Sequence, residues 1–179
     1  PSEKNGAEFI IEQAKAHAGK LEILSLGPLT DVALALEKAP EIANAIACVT
    51  VMGGGIHAGN ATKYAEFNIV ADPEAASVVF SSGVKTVMIG LDATNLCYQP
   101  RSDIELLRAP TELGKIVPAM LSSYADVYRQ VHNIDGMMIH DAICAVYLWR
   151  PELFTCMKCR MTVGLEDGEH LGQTIPEAG

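Results

Sequence analysis

No stretch of this chain approaches the ~18 to 20 consecutive apolar residues that a membrane helix needs. The leading Pro1-Ser2-Glu3-Lys4-Asn5-Gly6 has no apolar signal core either, so no membrane partner is expected. Basic residues are scarce: 13 Lys and Arg, well scattered, stand against 22 Asp and Glu for a net charge of −9. Binding a phosphate backbone takes clustered cations, so nucleic acid is not an expected partner, and an acidic pocket for a cation fits better. The five cysteines, Cys48, Cys97, Cys144, Cys156 and Cys159, are odd in number and irregularly spaced in apolar surroundings. That usage points to a reducing compartment, with the cytoplasm as the expected location. Cys156-Met157-Lys158-Cys159 has the spacing of a redox pair or half a zinc site, but no second pair follows. Internal repeats, low-complexity tracts and domain linkers are also missing.

What remains is a chain of 179 residues, 49% hydrophobic and only 20% charged, enough for one folded domain spanning 1–179 with a substantial core. Helical and extended patterns alternate along it. Apolar spacing predicts helices over 6–18, 29–36, 41–46 and 73–80, and strands over 21–26, 48–52 and 85–91. Buried runs rich in Val, Ile and Leu between helices predict an α/β fold, a layered, mostly parallel sheet flanked by helices. Beyond Leu91 the rhythm changes: helices are expected over 104–107, 111–131 and 141–149, a loop over 132–139, and an extended run over 156–165.

The most informative segment is Val51-Met52-Gly53-Gly54-Gly55-Ile56-His57-Ala58-Gly59-Asn60, followed by Ala65-Glu66-Phe67-Asn68-Ile69. An apolar strand ends in glycines that let the backbone turn sharply or approach a ligand closely. Asn60, Glu66 and Asn68 then offer donors and acceptors suited to a neutral, hydroxyl-rich ligand. Taken alone, such residues serve equally well in a solvated loop.

In open α/β sheets ligands bind outside the carboxyl ends of the strands. Ser25-Leu26-Gly27-Pro28-Leu29-Thr30-Asp31 and Gly90-Leu91-Asp92-Ala93-Thr94 stand at two further strand ends. His140-Asp141 places a titratable ring and an oxygen ligand side by side at a helix start, where Asp141 as an ordinary first-turn acid and a packed His140 is the alternative. Tyr124 and Tyr128, four residues apart, share a helix face.

These segments together resemble the inosine-uridine preferring nucleoside hydrolases, over nearly the whole chain and in the family's order. The resemblance implies cleavage of the N-glycosidic bond of ribonucleosides by water, with a Ca²⁺ ion holding the water and the ribose diol. It further implies that Asp141 and the main-chain carbonyl of Leu26 ligate calcium, that Asn60, Glu66 and Asn68 bind ribose, and that Met52 lines the sugar. Phe67 and Tyr128 are candidates to stack on sugar or base. His140 matches the residue that protonates the departing base. A ribonucleoside substrate and a homo-oligomer are the expected partners.

One departure bears on the chemistry. Family members begin with a strand ending in Asp-x-Asp-x-Gly-x-Asp-Asp, and nothing like it occurs here, so N-terminal strands are expected to be missing from this chain. Calcium takes about 6 to 8 oxygen ligands, so weak calcium binding and near-inactivity are expected from what is left. The alternative to a hydrolase is a catalytically impaired fragment or a non-catalytic nucleoside- or ribose-binding homologue.

Overall fold

The computed structural model describes residues 3–177. They form two compact units: one runs to Ala93 and resumes at Asp141, the other is Thr94–His140.

The first unit is built on a parallel three-stranded sheet. Helix α1 (Gly6–Ala16) starts at Asn5, whose side chain accepts from the Glu8 N–H at 2.9 Å while the Glu8 carboxylate accepts from the Asn5 N–H, a reciprocal cap that fixes the helix start. Strand β1 (Leu21–Ser25) follows, then α2 (Thr30–Lys38), a 3-10 turn (Pro40–Asn44) and β2 (Ile46–Met52). After a long loop come the short helix α3 (Phe67–Ala71), α4 (Pro73–Ser81) and β3 (Thr86–Ile89). The order is β1-β2-β3, with Ser25 opposite Val51 and Met52 opposite Ile89, so the three carboxyl ends finish level with one another.

Both faces of the sheet are covered. Leu21, Ile23, Val49 and Val51 pack on one side against residues of α1, α2 and α4. Leu24, Met52, Val87 and Ile89 pack on the other against Ile143, Cys144 and Tyr147 of α7 (Asp141–Trp149) and against Phe154. Central β2 is therefore buried on both sides, which is why it reads as a continuous apolar run instead of an alternating one. The expected α/β architecture is present. An antiparallel hairpin of β6 (Arg160–Val163) and β7 (Thr174–Glu177) completes this unit.

The chain leaves it through α5 (Leu91–Thr94). In the second unit β4 (Tyr98–Pro100) pairs antiparallel with β5 (Gly136–Met138), and α6 (Glu112–His132) packs over a small core of Ile104, Ala125 and Met137. Thr111 caps α6 by accepting from Gly114 N–H at 3.0 Å, and Asn133 closes it in the left-handed region at φ 55°.

Several expectations need correction. Of the residues expected as helices, 41–44 and 104–107 lie in 3-10 helices, Pro40–Asn44 and Arg101–Leu107, while Ile46 already opens β2. The expected loop 132–139 holds β5, and β4, β7 and α3 carry no clear signal in the sequence. Elements of three to five residues are too short for a period to show, and tertiary pairing decides them.

Candidate functional site

The carboxyl end of β2 leads into a loop whose backbone conformation only glycine accepts. Gly54 has φ +77°, and a Cβ there would meet the Met88 sulfur at 2.7 Å; a Cβ on Gly55 would stand 2.3 Å from the Ala58 carbonyl.

Such a loop has no ladder to satisfy its N–H groups, and side chains from other elements do so instead. Gly54 N–H donates to Glu66 Oε2 at 3.0 Å, and Gly55 N–H donates to Thr174 Oγ1 at 3.0 Å. The N–H groups of Ile56 and His57 donate to the two oxygens of Asp92 at 2.7 and 3.1 Å. Farther on, the turn folds back on itself: Gly59 N–H donates to Lys63 O and Asn60 N–H to Ala65 O.

This arrangement places five of the residues expected at the site. Glu66 is 2% exposed and is the N-cap of α3, its Oε2 accepting from the N–H groups of Asn68 (2.9 Å) and Ile69 (3.2 Å) as well as Gly54. Asn60 Oδ1 accepts from Phe67 N–H at 2.9 Å. Asn68 Nδ2 donates to the Met52 carbonyl at 3.0 Å and lies 3.5 Å from the Met52 sulfur. Met52, Asn60, Glu66, Phe67 and Asn68 thus form one connected cluster at a strand end. Phe67 leaves its ring 63% exposed beside these amides and the carboxylate, a free apolar face next to polar groups.

Leu26 and Asp141 belong to the same unit. Leu26 follows the end of β1 and is exposed, and Asp141 is the exposed first residue of α7. Among the described residues, no group of three His, Cys, Asp or Glu stands close enough together to hold a metal ion. One carboxylate and one carbonyl fall well short of calcium's oxygen shell, so these residues do not by themselves make a calcium site.

In the second unit, His140 Nδ1 lies 2.8 Å from the hydroxyl of the buried Thr94, and the Tyr128 hydroxyl lies 3.5 Å from His140 Nε2. Tyr128 in turn stacks edge-on with Tyr124, ring centroids 5.0 Å apart, and tilts against His132 at 4.9 Å. His140 is therefore held on both ring nitrogens. Thr94 can donate to Nδ1 or accept from it, so either tautomer of the neutral ring is accommodated.

Three residues gained no role from the sequence. Asp92 and Thr94 sit in the strand-end segment singled out above, but no local pattern says what they hold. Thr174 comes 119 positions after Gly55, and its hydroxyl also lies 3.0 Å from the Gly55 carbonyl, so nothing in either neighbourhood announces the pair. Burial pushes the Asp92 carboxyl up, but the hydrogen bonds from Ile56 N–H, the His57 ring and His57 N–H outweigh it and leave it below its ordinary value.

A cavity of about 440 Å³ lies along β3, lined by Phe80, Met88, Asp92, Phe154, Cys156 and Cys159 among others. It holds none of the five clustered residues, but Ile56 of the loop and Asp92 line it. The Cys156–Cys159 stretch that borders it is irregular chain ahead of β6 rather than the expected start of an extended run.

The chain is similar to known proteins in sequence and in fold. The pyrimidine-specific ribonucleoside hydrolase RihA of Salmonella typhimurium is 34% identical over 98% of this chain and 57% of its own length. The non-specific ribonucleoside hydrolase RihC of Escherichia coli is 39% identical over 86% of this chain and 49% of its own. Among solved structures, the purine-preferring ribonucleoside hydrolase from Gardnerella vaginalis superposes with a TM-score of 0.92 at 32% identity, covering 98% of this chain and 56% of that one. A plant nucleoside hydrolase superposes with a TM-score of 0.94 at 31% identity, over 99% and 56%. The chain thus spans about half the length of the relatives it matches. The family model for the inosine-uridine preferring nucleoside hydrolases matches residues 1–179, and the chain belongs to that family.

Proposed function

We propose that this protein hydrolyses the N-glycosidic bond of ribonucleosides, releasing base and ribose, and that the cluster around Met52 and Asn68 grips the ribose. The observation that carries this reading is the convergence of Asn60, Glu66 and Asn68 beside the exposed Phe67 ring at one strand end. Amide and carboxylate groups pair with sugar hydroxyls, and the aromatic face takes the apolar side of the ring.

Glycosidic cleavage builds positive charge on the sugar as the base departs. Oxygen acceptors fixed near the ring stabilise that charge without having to reorganise. Glu66 is well suited: three backbone N–H groups hold its Oε2, so its carboxylate cannot swing away. His140 is the acid for the leaving base: in its protonated form it gives up the Nε2 proton, beside the Tyr128 hydroxyl, while Nδ1–H stays on the Thr94 hydroxyl. Its ring, held between Thr94 and Tyr128, has the residue type and restraint for proton transfer. The described residues offer too few ligands to hold calcium by themselves.

Incubation with inosine and with uridine, followed by chromatography, tests the reading. Free base and ribose in equal amounts support hydrolysis; nucleoside binding by calorimetry with no release would make this a binding homologue instead.

A further inference from the structure

Asp92 serves the loop that bears the ribose-binding residues, yet it sits on a different element and far from them in sequence. Between Met52 and Asn60 the backbone has neither helix nor strand to define its path. The N–H groups of residues 54 to 57 are each held by a side chain: Glu66, Thr174, and Asp92 twice. Glu66 and Thr174 hold one of these N–H groups each and fix the first bend. Asp92 holds the next two with separate oxygens and takes the His57 Nδ1–H at 2.7 Å as a third bond.

The His57 side chain is 84% exposed and the Asp92 side chain 30%, so the ring is held by this bond and not by packing. Asp92 is anchored in turn, because α5 is docked on the same loop: Leu91 N–H donates to the Gly54 carbonyl at 2.8 Å. The turn 59–65 closes on itself between two anchors, this stalk on one side and the Ala65–Gln173 bridge on the other, and brings Asn60 to the Phe67 N–H.

We propose that Asp92 is a positioning residue for ribose recognition: its carboxylate sets the path of Ile56–His57 and thereby where Asn60 stands beside Asn68. The inference rests on the ribose-binding reading above. Asp92 touches no substrate in it and acts through the loop. A neutral acceptor could not replace it fully, since three donors converge on two oxygens and a carboxylate is the only side chain with acceptors alone.

The test compares Asp92→Ala and Asp92→Asn with wild type by amide hydrogen exchange and nucleoside kinetics. In Asp92→Ala, exchange at Ile56, His57 and Phe67 is expected to quicken about tenfold or more, while Val49 in β2 keeps its protection. KM is expected to rise about tenfold or more with kcat within about threefold of wild type. Asp92→Asn, retaining one acceptor oxygen, is expected to fall between. Unchanged Phe67 exchange and KM in Asp92→Ala would overturn the proposal, as would loss of Val49 protection together with kcat, the signature of general loosening. Should Asp92→Ala fail to fold, wild-type exchange at Ile56 and His57 in Asp92→Asn overturns it. Absence of turnover in the wild type refutes the hydrolase reading instead, and Phe67 exchange then decides the positioning role alone.

Discussion

The Asn68 side-chain amide donates to the Met52 carbonyl at 3.0 Å, tying the first turn of α3 to the last residue of β2. One Nδ2–H is used in this bond, which orients the side chain and leaves its carbonyl oxygen outside it. A strand end, a helix start and a buried carboxylate are thereby locked into one rigid corner.

Glu66 bears both on that corner and on stability. Replacing it by Ala strands three backbone N–H groups, two of them at a helix start. Glu66→Ala is therefore expected to lower unfolding free energy by about 2 to 4 kcal/mol, measured by urea denaturation. A loss under about 0.5 kcal/mol would mean that water replaces the carboxylate without cost.

His140 should matter according to the leaving group. In a form that carries the family's Asp-rich strand, His140→Ala is expected to lower turnover on inosine by ~10² to 10⁴-fold while sparing nitrophenyl riboside, whose leaving group needs little protonation. Steady-state kinetics on the two substrates check this, and equal losses on both would assign His140 a positioning role.

Calcium affinity follows from ligand count. Titration calorimetry on the 179-residue chain is expected to show calcium binding weaker than ~1 μM, because the oxygen shell is incomplete. Tighter binding, abolished by Asp141→Ala, would show that additional oxygens close around Asp141.

The cysteines should divide by environment. Burial, with the nearby Asp141 charge, pushes the Cys144 thiol up to about 12, whereas Cys156 is exposed. Only the thiolate is nucleophilic, so alkylation near pH 8 followed by peptide mass spectrometry is expected to modify Cys156 and spare Cys144 in the native protein. Modification of both at equal rates would mean that α7 opens readily.

How far the sequence could be read depends on how local each signal was. The run Ile46–Met52 announces a doubly buried strand because both its faces are covered, and Asp141–Trp149 announces its helix through its apolar spacing. The cluster at the end of β2 was visible because Met52, Asn60, Glu66, Phe67 and Asn68 lie within one short stretch. Asp92 and Thr174 reach the same loop from 35 and 119 positions away, and only the packed sheet and the β6–β7 hairpin bring them there. The short β4–β5 pair is likewise a product of tertiary contact, since neither Tyr98–Pro100 nor Gly136–Met138 has length enough to alternate.

The ribose grip is tested most directly by comparing kcat/KM for uridine and 2′-deoxyuridine. If this corner pairs with a ribose hydroxyl, a polar group of Asn60, Glu66 or Asn68 is left unmatched when that hydroxyl is gone. Discrimination of about 10³ to 10⁵-fold in favour of uridine is the expected result, and Asn68→Ala should shrink it. Values within about tenfold of each other in the wild type would contradict recognition of the ribose by Asn60, Glu66 and Asn68.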